Sequence, residues 1–499
     1  MKEQITVTVN GKPNLAAAGV TLAEIIGVET PCGGHGKCGK CKVIAKGNLS
    51  EPSDAERRLL SDDEIACGIR LACIARALGD CEIMELPAIQ TAQIVTDGAL
   101  PEFEIKPTFL NYGIAVDIGT TTLAARLYDN LGNVLSEVSC LNPQSRWGAD
   151  VISRIEAALD GKASLLADAI RNALNRLVCE LTEKIGAKNI DGMVITGNTV
   201  MLSLLTEESV EPFSHAPFAA NRLFGETLAA EDLKLFALQP GTPIYLPPCI
   251  SAFVGADITC ALVVTQLCGA DTAMLADIGT NGEMALWHKG KLTVCSTAAG
   301  PAFEGVGISM GMRGAVGAID RVRISDGKIT AHIIGDAEPV GICGSGLVDA
   351  AACMLEDEII DEGGYLEDEP FVIEAPVTLV AKDIRMLQLA KSAICAGIRT
   401  LLDHQAVSAK DVRGLYIAGG FGNYLNKESA VKIGLLPRKL AEVSRTVGNA
   451  ALGGAAMLLL NSDVKATAEK IAKNANVLDL SANGVFSEHY IAGMLFEEI

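Results

Sequence analysis

Residues 113–127 read GIAVDIGTTTLAARL, and residues 273–287 read AMLADIGTNGEMALW. In the first stretch Ile114, Ala115 and Val116 predict a strand that ends in Asp117. Gly119, Thr120, Thr121 and Thr122 then make a tight turn before a second apolar run. In the second stretch Asp277, Gly279, Thr280, Asn281 and Gly282 stand in the same places. A glycine turn lets backbone N–H groups and hydroxyls crowd around an anion, and a carboxylate at the strand end can hold a hydrated cation beside it. Two phosphate-gripping hairpins in one chain predict a cleft between two related halves.

Working outward, further strand-to-turn junctions appear. Residues 194–199, VITGNT, predict a buried strand opening into a polar turn before an apolar helix. That turn can aim amides into a cleft or simply connect two elements. Residues 415–423, LYIAGGFGN, place Gly419, Gly420 and Phe421 at a third strand end, and 341–349, GICGSGLVD, form a candidate nucleotide contact. Residues 295–313 are dense in glycine and small side chains, with Glu304 and Arg313 as the charged groups that could act. Asp150 ends NPQSRWGAD; it could orient water or metal, or cap the helix that follows, and the two roles can coexist. Apolar residues at 384, 387, 390, 394, 398 and 401 mark a helical core stripe, leaving Gln388 and Lys391 on its flank as cleft candidates. No G-x4-GK[ST] occurs, so a Walker-type phosphate loop is excluded.

The N-terminal part carries different chemistry. Residues 3–10 alternate as a strand, and residues 31–41 read PCGGHGKCGKC. Cys32, Cys38 and Cys41 thus follow a C-x5-C-x2-C pattern in a loop flexible enough to wrap a metal centre. Cys67, Cys73 and Cys81 are candidates for a fourth thiol. Cys73 is preferred because it falls in a loop just before the last strand, at 80–86, whereas Cys81 lies within that strand. A zinc site usually takes two short-gapped ligand pairs, and this three-plus-one layout fits it poorly. His35, inside the loop, is expected to face solvent.

Composition bounds the rest. A chain of 499 residues needs more than one domain, and 49% hydrophobic residues are ample for buried cores. The net charge of −20 argues against nucleic acid, whose binding needs a basic footprint. Most of it lies beyond residue 86, since residues 1–86 hold ten basic and twelve acidic side chains. Residues 1–9 do not read as a leader, and no apolar run reaches the roughly 18 residues of a membrane span. With 15 cysteines, the expectation is a reducing, cytoplasmic setting without membrane contact. Residues 87–112, with Pro101 and Pro107, read as a linker.

The cysteine pattern resembles the [2Fe-2S] ferredoxins of β-grasp fold, nearer the adrenodoxin type because its first interval is one residue longer than in the plant type. Asp117–Thr122, Asp277–Gly282 and Gly419–Phe421, in that order, resemble the two phosphate motifs and the adenosine motif of the acetate and sugar kinase, heat-shock chaperone and actin superfamily. The two together, with the phrases TGNT, STAAGPAFEG, GICGSGL and AGGFGNYL, resemble the ATP-dependent reductive activators of corrinoid proteins. The resemblance implies an α/β chain: a small β-grasp ferredoxin domain at 1–86 and a large two-lobed actin-like (ribonuclease H-like) ATPase domain at 113–499. It implies a [2Fe-2S] cluster on Cys32, Cys38, Cys41 and Cys73, and ATP with Mg²⁺ between the hairpins. Asp117, Asp277 and Asp150 would be catalytic, and Gly119, Thr120, Thr121, Thr122, Gly279, Thr280, Asn281, Gly282, Gly419, Gly420 and Phe421 would hold the nucleotide. Its partners would be a corrinoid protein and an external low-potential electron donor, with room for a homodimer and with residues 296–305 as a partner-facing surface. A small-molecule kinase with an attached redox domain, and an electron-transfer module without ATP turnover, are the alternatives.

Overall fold

A computed structural model of the chain describes residues 4–28, 30, 32–85, 100–187, 189–325 and 328–499. They fall into two compact units, one of Met1–Gln90 with Leu141–Ile170 and one of Thr91–Cys140 with Arg171–Ile499.

The first unit is built on five strands, β1 (Gln4–Val9), β2 (Lys12–Ala17), β3 (Lys42–Leu49), β4 (Ile69–Leu71) and β5 (Ala77–Glu85), in the order β2-β1-β5-β3-β4. Alternation in β1 points Ile5 and Val7 into the core, where they meet Val43, Leu71 and Ile83. β1 turns back into β2 and pairs in parallel with β5, the β-grasp arrangement. Three short helices start on capping boxes, Thr21 with Glu24, Ser53 with Glu56 and Ser61 with Glu64. Such boxes satisfy amides that helices of five or six residues could not otherwise pair.

The second unit holds two six-stranded sheets of one plan. The first contains β6 (Tyr112–Ile118), β7 (Thr122–Asp129), β8 (Val134–Leu141), β9 (Gly192–Gly197), β10 (Glu226–Ala229) and β11 (Pro243–Leu246), ordered β10-β11-β9-β6-β7-β8. The second contains β12 (Thr272–Ile278), β13 (Gly282–His288), β14 (Lys291–Thr297), and later in the chain β20 (Gly414–Ala418), β21 (Ser444–Thr446) and β22 (Asn476–Val477). Its order is β21-β20-β12-β13-β14-β22. Between β14 and β20 lie a small sheet of β15 (Ala318–Ser325), β16 (Lys328–Ile333) and β17 (Gly341–Ile342), and a hairpin of β18 (Phe371–Glu374) and β19 (Val377–Leu379).

In each large sheet an antiparallel hairpin, β6/β7 or β12/β13, has a parallel strand beside its first member, β9 or β20. The register sets Asp117 opposite Thr196 and Asp277 opposite Ala418. Parallel pairing therefore brings the polar turns after β9 and β20 to the same sheet edge as the hairpin turns.

The helices Ala256–Val264 and Ala450–Leu460 share one apolar core with strands of both sheets. They cross closely because Gly454 has no side chain: a Cβ there would stand 2.1 Å from the Cys260 carbonyl oxygen. The predicted stripe on the helix Ala381–His404 is buried at all six positions. Its flank differs from expectation. Gln388 and Lys391 are buried away from any cleft, donating to the backbone oxygens of Met494 and Leu495 and so pinning the C-terminal tail. Of the expected linker, residues 87–99 lie outside the described residues. Residues 100–111 pack along the second unit, with the Lys106 and Thr108 amides bonded to Leu460 and Leu459 and Phe109 buried.

Candidate functional site

The loop at 32–41 brings its thiols together with Cys73. Cys41 and Cys73 Sγ are 3.2 Å apart, and the Lys37 amide donates to Cys32 Sγ at 3.5 Å. Hydrogen bonding from Cys38 and then Cys73 pulls the Cys32 thiol far below its usual range. Cys38 is pushed up by the same pairing with Cys32 and then by burial, and Cys73 by Cys32, by Cys41 and then by burial. Cys41 is likewise pulled down by its hydrogen bond with Cys73, so each pair, Cys32 with Cys38 and Cys41 with Cys73, holds one lowered and one raised thiol. Among the described residues no three His, Cys, Asp or Glu close around a single ion. A two-iron centre asks instead for thiols in two pairs, and the pairs Cys32 with Cys38 and Cys41 with Cys73 fit it.

The other two candidates stand apart. Cys67 is exposed at a helix end, and Cys81 is buried within β5. Glycine makes the loop possible. At Gly36 (φ +64°) a Cβ would fall 2.1 Å from Ile74 Cδ1. His35 is exposed, 3.6 Å from Glu156. Behind the loop, fully buried Glu56 accepts from Arg70 Nε at 2.9 Å, from Arg70 Nη2 at 3.1 Å and from the Leu71 amide at 3.1 Å. This pair fixes the segment that delivers Cys73.

In the second unit the two hairpin turns face one cavity of about 460 Å³. Asp117, Gly119, Thr120, Thr121 and Thr122 line it, as do Asp277, Gly279, Thr280 and Asn281 from the second hairpin and Gly419, Gly420 and Phe421 from the turn after β20. Gly419 must be glycine: at φ +92° a Cβ would lie 2.8 Å from both Asp277 Oδ1 and the Ile278 carbonyl oxygen. Phe421 stacks on Phe303, centroids 4.4 Å apart at 19°, giving one flat apolar wall.

Gly282 is the member of the second motif outside the lining. It starts β13 beneath Ile394, whose Cδ1 would be 2.2 Å from a Cβ, so packing explains it. Asp150 is also absent from the lining. Its Oδ1 accepts from the Ser153 amide at 2.7 Å, capping the helix Val151–Ala157.

The sequence reading missed part of the site. Asp257, at the start of the helix Ala256–Val264, and Glu283, next after Gly282, join Asp117 and Asp277 around the cavity floor. Burial pushes Asp257 to about 8, Asp117 to about 7 and Asp277 to about 6, and repulsion from Asp277 adds to the first two. Glu283 is raised well above its usual range by burial and by Asp257 and Asp277. Four crowded carboxylates with these shifts offer a strong seat for positive charge. Asn449 donates to Asp117, and Asn198 donates to Thr120 Oγ1 at 3.1 Å while capping its own helix. His332 and Asp320, bonded at 2.5 Å, line the far side with Ser345. A carboxylate next to a small-residue helix start (GAD, residues 255–257) was the available signal for Asp257.

The geometry has clear relatives. Residues 2–78 match the 2Fe-2S iron-sulfur cluster binding domain, 112–269 the RACo middle region, and 271–498 the C-terminal domain of RACo, the ASKHA domain. Corrinoid activation enzyme RamQ of Eubacterium limosum is 35% identical over 418 residues, covering 77% of this chain and 70% of that protein. The chain belongs to the corrinoid activator family.

Another relative in this activator family is the [Co(II) methylated amine-specific corrinoid protein] reductase of Methanosarcina barkeri, 25% identical with 77% of each chain covered. The solved structure of a reductive activator for corrinoid, iron–sulfur protein superposes with a TM-score of 0.73. It is 28% identical, covering 99% of this chain and 98% of that one. As expected of the activator family, a ferredoxin domain and an actin-like ATPase fold stand in one chain. Among the described residues no helix is long and apolar enough to cross a membrane.

Proposed function

We propose that this chain is an ATP-dependent reductive activator, delivering one electron to Co(II) of a corrinoid protein and so restoring Co(I) for methyl transfer. The observation that supports it best is the presence, in one chain, of four converging thiols and a cavity lined by both phosphate-gripping hairpins.

Cys32, Cys38, Cys41 and Cys73 would hold the cluster. A bound [2Fe-2S] centre supplies a one-electron carrier, which in the plant-type ferredoxins works at roughly −400 mV. Reduction of Co(II) lies lower still, so an uphill electron needs a coupled downhill reaction, which ATP turnover in the cavity provides. Asp117 and Asp277 would position hydrated Mg²⁺ on the phosphates. Thr120, Thr121, Thr280 and Asn281 would hydrogen-bond the phosphates, and Gly419, Gly420 and Phe421 would carry the adenosine. The reductant is an external low-potential donor. Against a kinase reading, the two bases that the sequence singled out are both engaged: Asp150 caps a helix and Glu304 is bonded to both hairpins.

The test is spectroscopic. A Co(II) corrinoid protein, a reductant, this protein and ATP should give the Co(I) absorption. Equal reduction with nucleotide omitted would remove ATP from the mechanism.

A further inference from the structure

Glu304 sits between the two hairpins. Its Oε2 accepts from Thr121 Oγ1 at 2.6 Å, and its Oε1 accepts from Thr280 Oγ1 at 2.5 Å. One hydroxyl comes from each phosphate motif, and both line the cavity together with Glu304. An anion is therefore already held by the groups that a terminal phosphate would need, and the anion belongs to the chain.

The backbone that presents this carboxylate is fixed. Glu304 ends a single turn, Pro301–Glu304. The turn is entered by Gly300, whose amide donates to the Thr280 carbonyl oxygen at 2.9 Å, and left by Gly305 at φ +79°, where a Cβ would be 2.4 Å from the Met312 nitrogen. Phe303 in the same turn stacks on Phe421, and Gly344 comes so close that a Cβ would lie 2.1 Å from the Phe303 carbonyl oxygen. With the turn locked, the carboxylate can leave the hairpins only by rotating its own side chain.

We infer that Glu304 is a built-in occupant of the terminal-phosphate position, which sets the preference between nucleoside triphosphate and diphosphate. This rests on reading the cavity as an ATP site. Two anions cannot share two hydroxyl donors at this range, because each hydroxyl has one proton to donate and like charges at hydrogen-bond distance repel. A triphosphate must therefore displace Glu304, whereas a diphosphate that stops short of the hydroxyls leaves it in place. The exchange gives the protein a two-state element that reads the terminal phosphate: Glu304 on the hairpins, or Glu304 swung away.

The test is the affinity of the full chain for ATP and for ADP by calorimetry, in wild type, E304Q and E304A. Glutamine keeps the shape and loses the charge, and alanine removes the side chain. Retained cluster absorbance and melting temperature report that each variant is folded. Both variants should bind ATP on the order of tenfold more tightly, with ADP binding changed less than about threefold. ATP affinity that is unchanged in both variants, or weakened because Glu304 is itself a ligand of the nucleotide or its cation, overturns the inference. Equal tightening of ATP and ADP also overturns it. A wild-type protein that binds neither nucleotide removes the ATP reading itself and this inference with it.

Discussion

Asn449 Nδ2 donates to Asp117 Oδ2 at 2.9 Å, joining a helix cap to a strand end 332 positions earlier in the chain. Burial raises the Asp117 carboxyl, the Asn449 bond holds it down and Asp277 pushes it up again, and together they leave it at about 7. The amide thus tunes how much of the carboxylate is ionised near neutrality. Asn449→Ala should raise the Asp117 pKa further. The acid limb of the ATP turnover profile should then move to higher pH by roughly one unit, and an unmoved limb would disconnect Asp117 from the rate.

The crowded carboxylates also predict how stability follows pH. Asp257, Asp117 and Asp277 all bind protons more tightly in the folded chain than in the unfolded one. Their contribution is fully present below the ordinary carboxylate range and is lost as pH rises through about 6 to 8. Metal-free, nucleotide-free protein should therefore melt lower above that window. Asp257→Asn should recover roughly 1–3 kcal/mol there and little at acidic pH. Thermal melts across the window measure the difference, and parallel wild-type and variant curves would contradict it.

The thiol set separates cleanly by substitution. Cys38→Ser and Cys73→Ser should each lose the visible absorption of the reconstituted cluster while ATP still binds. Cys67→Ser, at an exposed helix end, should keep it. Retained colour in Cys73→Ser would reject that residue as the fourth ligand.

Behind the cluster loop, Glu56 is a buried carboxylate. Burial alone would raise its pKa, but the Arg70 guanidinium and the Ser53 and Leu71 amides more than offset this and hold it below the usual range. Arg70→Leu should leave that charge unpaired and destabilise the ferredoxin fold by about 3–5 kcal/mol. Hydrogen exchange in β3 and β5 should rise accordingly, with the ATPase strands unaffected. The loss should lessen at acidic pH, where Glu56 can take up a proton.

Much of this protein was legible in the chain because its signals are local. A strand ending in aspartate, a glycine turn and a run of hydroxyls all fit within ten residues, as do the first three cysteines, and the 384–401 stripe needs only helical periodicity. These determined both domains, the three glycine turns that line the cavity and the cysteine loop. Tertiary structure decided what depends on long-range pairing. The parallel register of β6 with β9 and of β12 with β20 carried Asn198 and Gly419 to their hairpins. Helix placement added Asp257 and Asn449, and the locked turn after β14 set Glu304 against Thr121, 183 positions away. It also turned Gln388 and Lys391 to the tail and gave Asp150 a cap to hold. A side chain's neighbours across hundreds of residues follow from sheet order and core packing, and no short pattern encodes those.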